Sequence, residues 1–179
     1  MERTIVNPIF KDTVTFVKTA AETNGQVTEM LLTLMPGGSN PLHCHTAYDE
    51  KFVAIKGALG LQLADKNCLL QPGQECTVPA GTLHRFYNPT SAEISFRIEF
   101  NPGHEGAERM LRIMYGLARD GKTNGQGIPK SLATIALVSE MGDSALPGFF
   151  TWIAPILKRM AASARKRGLE KQLLDAYCR

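Results

Sequence analysis

The sequence predicts a mainly β fold: an antiparallel β-barrel over residues 1–103, followed by a C-terminal α-helical extension over residues 104–179. Three observations carry this. Up to about Pro102, apolar residues alternate with polar ones in short runs, the period of half-buried strands. Turn-forming pairs separate those runs at short intervals with no helical pattern between them, as in an antiparallel barrel or sandwich. Beyond Gly103 the period becomes helical and the charge changes sign: residues 1–104 hold 8 Lys+Arg against 10 Asp+Glu, net −2, whereas residues 105–179 hold 12 against 7, net +5.

Taken in order, Thr28 to Leu34 puts Met30, Leu32 and Leu34 on one face, and Ala58 to Ala64 does the same for Leu59, Leu61 and Leu63. Glu93 to Phe100 alternates most cleanly, with Ile94, Phe96, Ile98 and Phe100 inward and Glu93, Ser95, Arg97 and Glu99 outward. The breaks fall at Asn24-Gly25, Pro36-Gly37-Gly38, Pro72-Gly73, Pro79-Ala80-Gly81 and Asn88-Pro89, where glycine and asparagine supply positive φ and proline pre-sets the turn. In the extension, Met110, Ile113, Met114 and Leu117 form one helical stripe with Gly121 as its stop. The Gly- and Asn-rich stretch 121–129 reads as a loop. Leu132, Ile135, Ala136 and Val138 indicate a second helix, Phe149, Ile153, Ile156, Leu157 and Met160 a third, and Leu169, Leu173 and Ala176 a short last one.

Composition closes off several classes. With 44% hydrophobic and 21% charged residues, the 179-residue chain has the makings of a core and is no disordered tail. The longest apolar candidate, Ala145 to Leu157, is too short for a span and contains Pro147 and Pro155. Met-Glu-Arg-Thr lacks the layout of a secretory signal, so a cytoplasmic protein is the expectation. Cys44, Cys68, Cys76 and Cys178 show no CxxC spacing, and four cysteines are few for a disulfide framework, although a Cys68–Cys76 bridge stays open.

Four ionisable residues stand out. His43 and His45, one residue apart, point to one face of a strand, with Cys44 turned the other way. Glu50 opens the next apparent strand, and a bend around Thr46 to Asp49 would return its carboxylate over the imidazoles. His84 follows the Pro-Ala-Gly turn. Three imidazoles and a carboxylate form a mixed nitrogen and oxygen set suited to Fe(II), Mn(II), Ni(II), Zn(II) or Cu(II), and four protein ligands leave room for water or substrate on the ion.

The frame around these residues resembles the two signatures of the cupin superfamily. The first runs Gly37, five residues, His43, His45, four residues, Glu50, six residues, Gly57; the second runs Gly73, five residues, Pro79, Gly81, two residues, His84, three residues, Asn88. The resemblance covers about residues 27–100 and shows no departure at the ligand positions. It implies a jelly-roll-like barrel with one divalent metal, Fe(II) first among the options, on His43, His45, Glu50 and His84. In some cupins the corresponding glutamate swings off the metal and serves as a base, so both a ligand and a catalytic role for Glu50 stay open. The resemblance also makes a homodimer a fair expectation. Single-domain cupins with all four ligands include dioxygenases, decarboxylases and isomerases, which points to a metal-dependent enzyme of dioxygenase type acting on a small organic substrate. The alternative is a non-catalytic protein whose metal-containing pocket binds or senses a ligand.

By strand parity the substrate pocket is expected among Met30, Leu32, Phe52, Phe86 and Phe96, with Leu61 and Val78 also inward and Tyr48 and Arg85 at the rim. The same side chains would equally serve as plain barrel filling. Cys76, inward beside Val78, reads as a small buried hydrophobe, and His104 as an ordinary residue of the barrel-to-helix junction. In the extension, Phe149, Phe150 and Trp152 precede Lys158, Arg159, Arg165, Lys166 and Arg167. The expectation is an aromatic stripe packed on the barrel or a second subunit with solvated basic residues; contact with an anionic membrane surface is the alternative, and no nucleic-acid partner is expected.

Overall fold

Alternating burial becomes strand throughout the first hundred residues of this computed structural model, which describes residues 2–64, 66–145 and 154–179. The strands are β1 (Thr4–Asn7), β2 (Asp12–Lys18), β3 (Thr28–Leu34), β4 (Cys44–His45), β5 (Asp49–Lys56), β6 (Leu59–Leu63), β7 (Lys66–Leu70), β8 (Glu75–Val78), β9 (His84–Tyr87) and β10 (Ile94–Asn101). Six form one antiparallel sheet in the order β1-β2-β3-β10-β5-β8, and three form a second, β7-β6-β9. Their inner faces bury one core of Phe16, Met30, Leu34, Phe52, Leu61 and Phe96 with their neighbours. β10 sits between β3 and β5, pairing Phe96 with Leu32 and Ile98 with Phe52, and its buried–half-buried alternation is the one expected.

The turns obey their residues. Gly37, Gly57, Gly73 and Gly81 all take positive φ, between +70° and +88°. At Gly57 the bare backbone is also a packing need, because a Cβ there would come within 2.6 Å of Ile94.

Four helices follow: α1 (Glu105–Arg119), α2 (Leu132–Met141), α3 (Ala154–Lys166) and α4 (Leu169–Tyr177), with a two-residue strand β11 (Ser144–Ala145) between α2 and α3. His104 caps α1, its ring nitrogen accepting from the Ala107 N–H at 2.9 Å, and Gly121 follows its end at φ +68°. α1 is buried on two sides rather than along one stripe. Ala107, Leu111 and Tyr115, four residues apart, face the barrel core, while Ile113 and Leu117 join a second cluster with Leu137, Ala161, Ala164 and Leu173.

Two expectations in the extension need correction. Leu132 is 56% exposed and Ile156 57% exposed; α3 buries the small face Ala161 and Ala164 instead, which lets the helices approach closely. Phe149, Phe150, Trp152 and Ile153 lie outside the described residues. Lys158, Arg159, Lys166 and Arg167 are exposed, and Arg165 pairs with Glu140 and Glu170. No helix among the described residues is long and apolar enough to cross a membrane. The four cysteines are free thiols; Cys76 packs half-buried against the barrel core beside Cys68.

Candidate metal centre

The four predicted ligands converge. His43 and His84 face each other across a two-way backbone pair, His43 N–H to His84 O at 3.0 Å and His84 N–H to His43 O at 2.8 Å, which sets their rings 4.5 Å apart. His45 is on β4, two residues on and on the same face. Glu50 begins the inward set of β5, opposite Val78 on β8 and Phe100 on β10. One ligand atom from each of the four lies within 4.8 Å of the others. Bonds of ~2.1 Å to one ion place its ligands ~3–4 Å apart, so the cage matches a single first-row metal within a small relaxation.

Contacts distant in sequence hold the turn from His45 to Glu50. The Asp143 carboxylate, beyond the end of α2, accepts from the backbone N–H groups of Thr46 at 2.5 Å and Ala47 at 2.6 Å and from the Thr46 hydroxyl at 2.9 Å. Next to it, β11 pairs with β4, Ser144 opposite His45. On the other side, His45 O accepts from Gly81 N–H at 2.6 Å and Asp49 accepts from Ala80 N–H at 2.8 Å, which ties the Pro-Ala-Gly turn to the ligand loop.

The hydrogen bonds also decide where the imidazole lone pairs point. Nδ1 of His43 meets Pro41 O at 3.0 Å, Nδ1 of His45 meets Tyr48 O at 2.9 Å and Nδ1 of His84 meets Thr82 O at 2.8 Å. A carbonyl only accepts, so each Nδ1 donates, and the neutral ring keeps its lone pair on Nε2. Yet Nε2 of both His45 and His84 lies 2.9 Å from the same oxygen, Oε2 of Glu50. A lone pair and a carboxylate oxygen repel at that distance unless a proton or a metal ion stands between them. The donor set therefore fits a cation, and its outer carbonyls orient the rings as in metal sites generally.

The electrostatics agree. Burial works to raise the Glu50 carboxyl, but its close contacts with His45 and His84 outweigh it and hold the group down at about 2. Burial pushes His43 down to about 4, with repulsion from His84 adding to it, so this ring is neutral and free to ligate at neutral pH. Burial also works against the charged form of His84, but its hydrogen bond to Glu50 prevails and the net shift is upward. Glu50, His45 and His84 are 5%, 2% and 0% exposed, and His43 alone is half-buried.

Beside the cage lies an apolar cavity of about 140 Å³. His43 and Glu50 border it with Met30, Leu32 and Phe86 from the expected set. Phe52 and Phe96, expected there too, do not border it: both are fully buried and pack with Phe86 in the core, ring centroids 5.2–6.5 Å apart. Parity told inside from outside but not depth. The far wall, unforeseen, is α1, with Leu111, Met114 and Tyr115, and the signal available was the second stripe at Ala107, Leu111 and Tyr115. Tyr48 is a wall rather than a rim residue: 3% exposed, it stacks on His45 at 4.0 Å, and burial pushes its phenol up, so it stays protonated. The Tyr115 hydroxyl is spent on a buried carboxylate, Asp12, at 2.5 Å.

The family model of the cupin domain matches residues 30–108, a segment that contains all four ligands. No curated protein matches the chain significantly. Among solved structures it is similar to KdgF from Halomonas sp., at 17% identity over 53% of this chain and 83% of that one, with a TM-score of 0.48. It is also similar to a sugar phosphate isomerase from Silicibacter pomeroyi, at 26% identity over 52% of this chain and 60% of that one, with a TM-score of 0.46. A predicted oxalate decarboxylase from Thermotoga maritima overlaps at 17% identity over 51% of this chain and 80% of that one, with a TM-score of 0.49. The match to the family model identifies residues 30–108, the segment that holds all four ligands, as a cupin domain.

Proposed function

We propose that the protein is a metal-dependent enzyme that acts on a small, largely apolar organic molecule in the cavity between the cage and α1, with dioxygenase chemistry on Fe(II) as the leading version. The observation that carries the proposal is the convergence of three Nδ1-anchored imidazoles and Glu50 on one point at the wall of a mostly apolar cavity. When bound there, a divalent metal would supply Lewis acidity and, if redox-active, a place for dioxygen chemistry. His43, His45, His84 and Glu50 would hold it.

The chain's own residues do the rest. Met30, Leu32, Leu111 and Met114 take the apolar body and exclude water from it. The protonated Tyr48 offers a hydroxyl to a polar substituent in this otherwise apolar chamber. Glu50 is the fourth ligand; both imidazole contacts fall on Oε2, so Oε1 is the oxygen that would take a substrate proton. A cytoplasmic homodimer remains part of the proposal.

The test is oxygen uptake by the iron-loaded protein against a panel of catechols, thiols and diketones. Uptake that disappears in His84→Ala supports the enzyme. Tight ligand binding without turnover on any member of the panel would replace it with a binding or sensing protein.

A further inference from the structure

The outer face of the β7-β6-β9 sheet carries chemistry that the metal centre does not use. Arg85 follows His84 on β9 but points to the opposite face, into a second cavity of about 400 Å³. Its Nε–H donates to Oε1 of Gln62, the residue directly across on β6, at 2.7 Å. Its guanidinium carbon stands 5.9 Å from the centre of the Tyr87 ring. That ring is itself held in place, lying over Gly60, where a Cβ would approach it to 2.4 Å. The guanidinium is therefore half-buried and oriented by neighbours on both sides.

What it lacks, among the described residues, is an acid. Arg85 makes no ion pair with any described carboxylate, and no described Asp or Glu borders the cavity. Two terminal NH2 groups, a fork suited to a planar anion, remain to be satisfied. Other donors line the same cavity. Asn40 spends its Oδ1 on the Phe86 N–H at 2.8 Å, so its amide NH2 is left to donate, and Ser39 and Gln126 add a hydroxyl and an amide. Ile9, Leu42 and Ile128 form the apolar side.

We propose that this cavity is an anion site, which takes the phosphate or carboxylate group of a small molecule on Arg85 and the Asn40 amide and seats an apolar substituent against Ile9, Leu42 and Ile128. The cavity shares Phe10, Asn40 and Pro41 with the one beside the cage, but its cation, Arg85, lies on the opposite face of β9 from His84.

Calorimetric titration of chelator-treated protein at low ionic strength tests it with inorganic phosphate, acetate and phenyl phosphate. Saturable binding is expected, tighter for phenyl phosphate than for inorganic phosphate. Arg85→Gln should weaken it at least ten-fold and Arg85→Lys by less, both at unchanged circular dichroism; the lysine variant carries the test if the glutamine variant fails to fold. His84→Ala should bind as the wild type does. Absence of saturable binding to the wild type, or equal binding by Arg85→Gln, overturns the assignment. So does a loss in His84→Ala matching that in the Arg85 variants, which would move the anion to the metal cage.

Discussion

Replacing Asp12 by Asn should flatten the pH dependence of folding. Asp12 opens β2 at 3% exposure; one carboxylate oxygen accepts from the Tyr115 hydroxyl, and the other, buried, has no partner among the described residues. Burial drives its pKa from an ordinary 3.8 up to about 7, against the opposing pull of the Tyr115 and backbone hydrogen bonds. A carboxyl raised on folding binds its proton more tightly in the native state. It therefore contributes stability in full below pH 3.8 and loses it as the pH climbs through 7. At ~1.4 kcal/mol per unit, the loss between pH 5 and pH 8 is roughly 3 kcal/mol. Asparagine keeps the shape and an acceptor for Tyr115 but does not titrate; its unpaired amide costs about 1–3 kcal/mol at every pH. The readout is therefore the slope. Urea unfolding in the presence of chelator, at unit steps from pH 5 to pH 8, should show the difference between variant and wild type moving in the variant's favour by roughly 3 kcal/mol. The metal ligands titrate equally in both proteins and cancel. Parallel curves would mean that Asp12 is ionised in the fold, and the reasoning would be wrong.

Further outcomes follow from the same geometry. Asp143→Ala frees the Thr46–Ala47 turn that aims His45, and metal affinity measured by competition with a fluorescent chelator should fall about ten-fold, the range found when groups supporting a ligand are removed. Ile113→Ala leaves a void where α1 meets α2 and should cost about 2–5 kcal/mol in urea unfolding, whereas Ile156→Ser, at an exposed position, should stay within about 0.5 kcal/mol. Leu111→Trp fills the 140 Å³ cavity from α1, and binding of 4-nitrocatechol followed by absorbance should disappear with metal content unchanged. Because the proton affinity of His84 is raised, acid should compete for the cage early, and metal should begin to leave at or just above the usual histidine range as the pH falls.

The barrel and the cage were legible because both rest on local rules. A period of two puts His43 and His45 on one face, and the glycines at 37, 57, 73 and 81 mark backbone that only they adopt easily. Spacing also placed Glu50 and His84, since each stands within the first two residues of a strand, just after a turn. What stayed hidden depends on packing between distant segments. Tyr115 meets Asp12 across 103 residues and Asp143 meets Thr46 across 97, and no periodicity announces either pair. Phe52 and Phe96 point inward as their parity predicts but do not reach the cavity, because parity carries no depth. Ile156 had a helical spacing that fitted a buried stripe, yet α3 turns its alanines inward, where closer packing wins over a larger side chain.

The most direct measurement is elemental analysis of the protein purified from its native cell, beside the His43→Ala and His84→Ala variants. Close to one first-row divalent metal per wild-type chain is expected, dropping to near zero in both variants while circular dichroism stays unchanged. A folded wild-type chain carrying no such metal, or variants that retain it in full, would contradict a metal held by these four side chains.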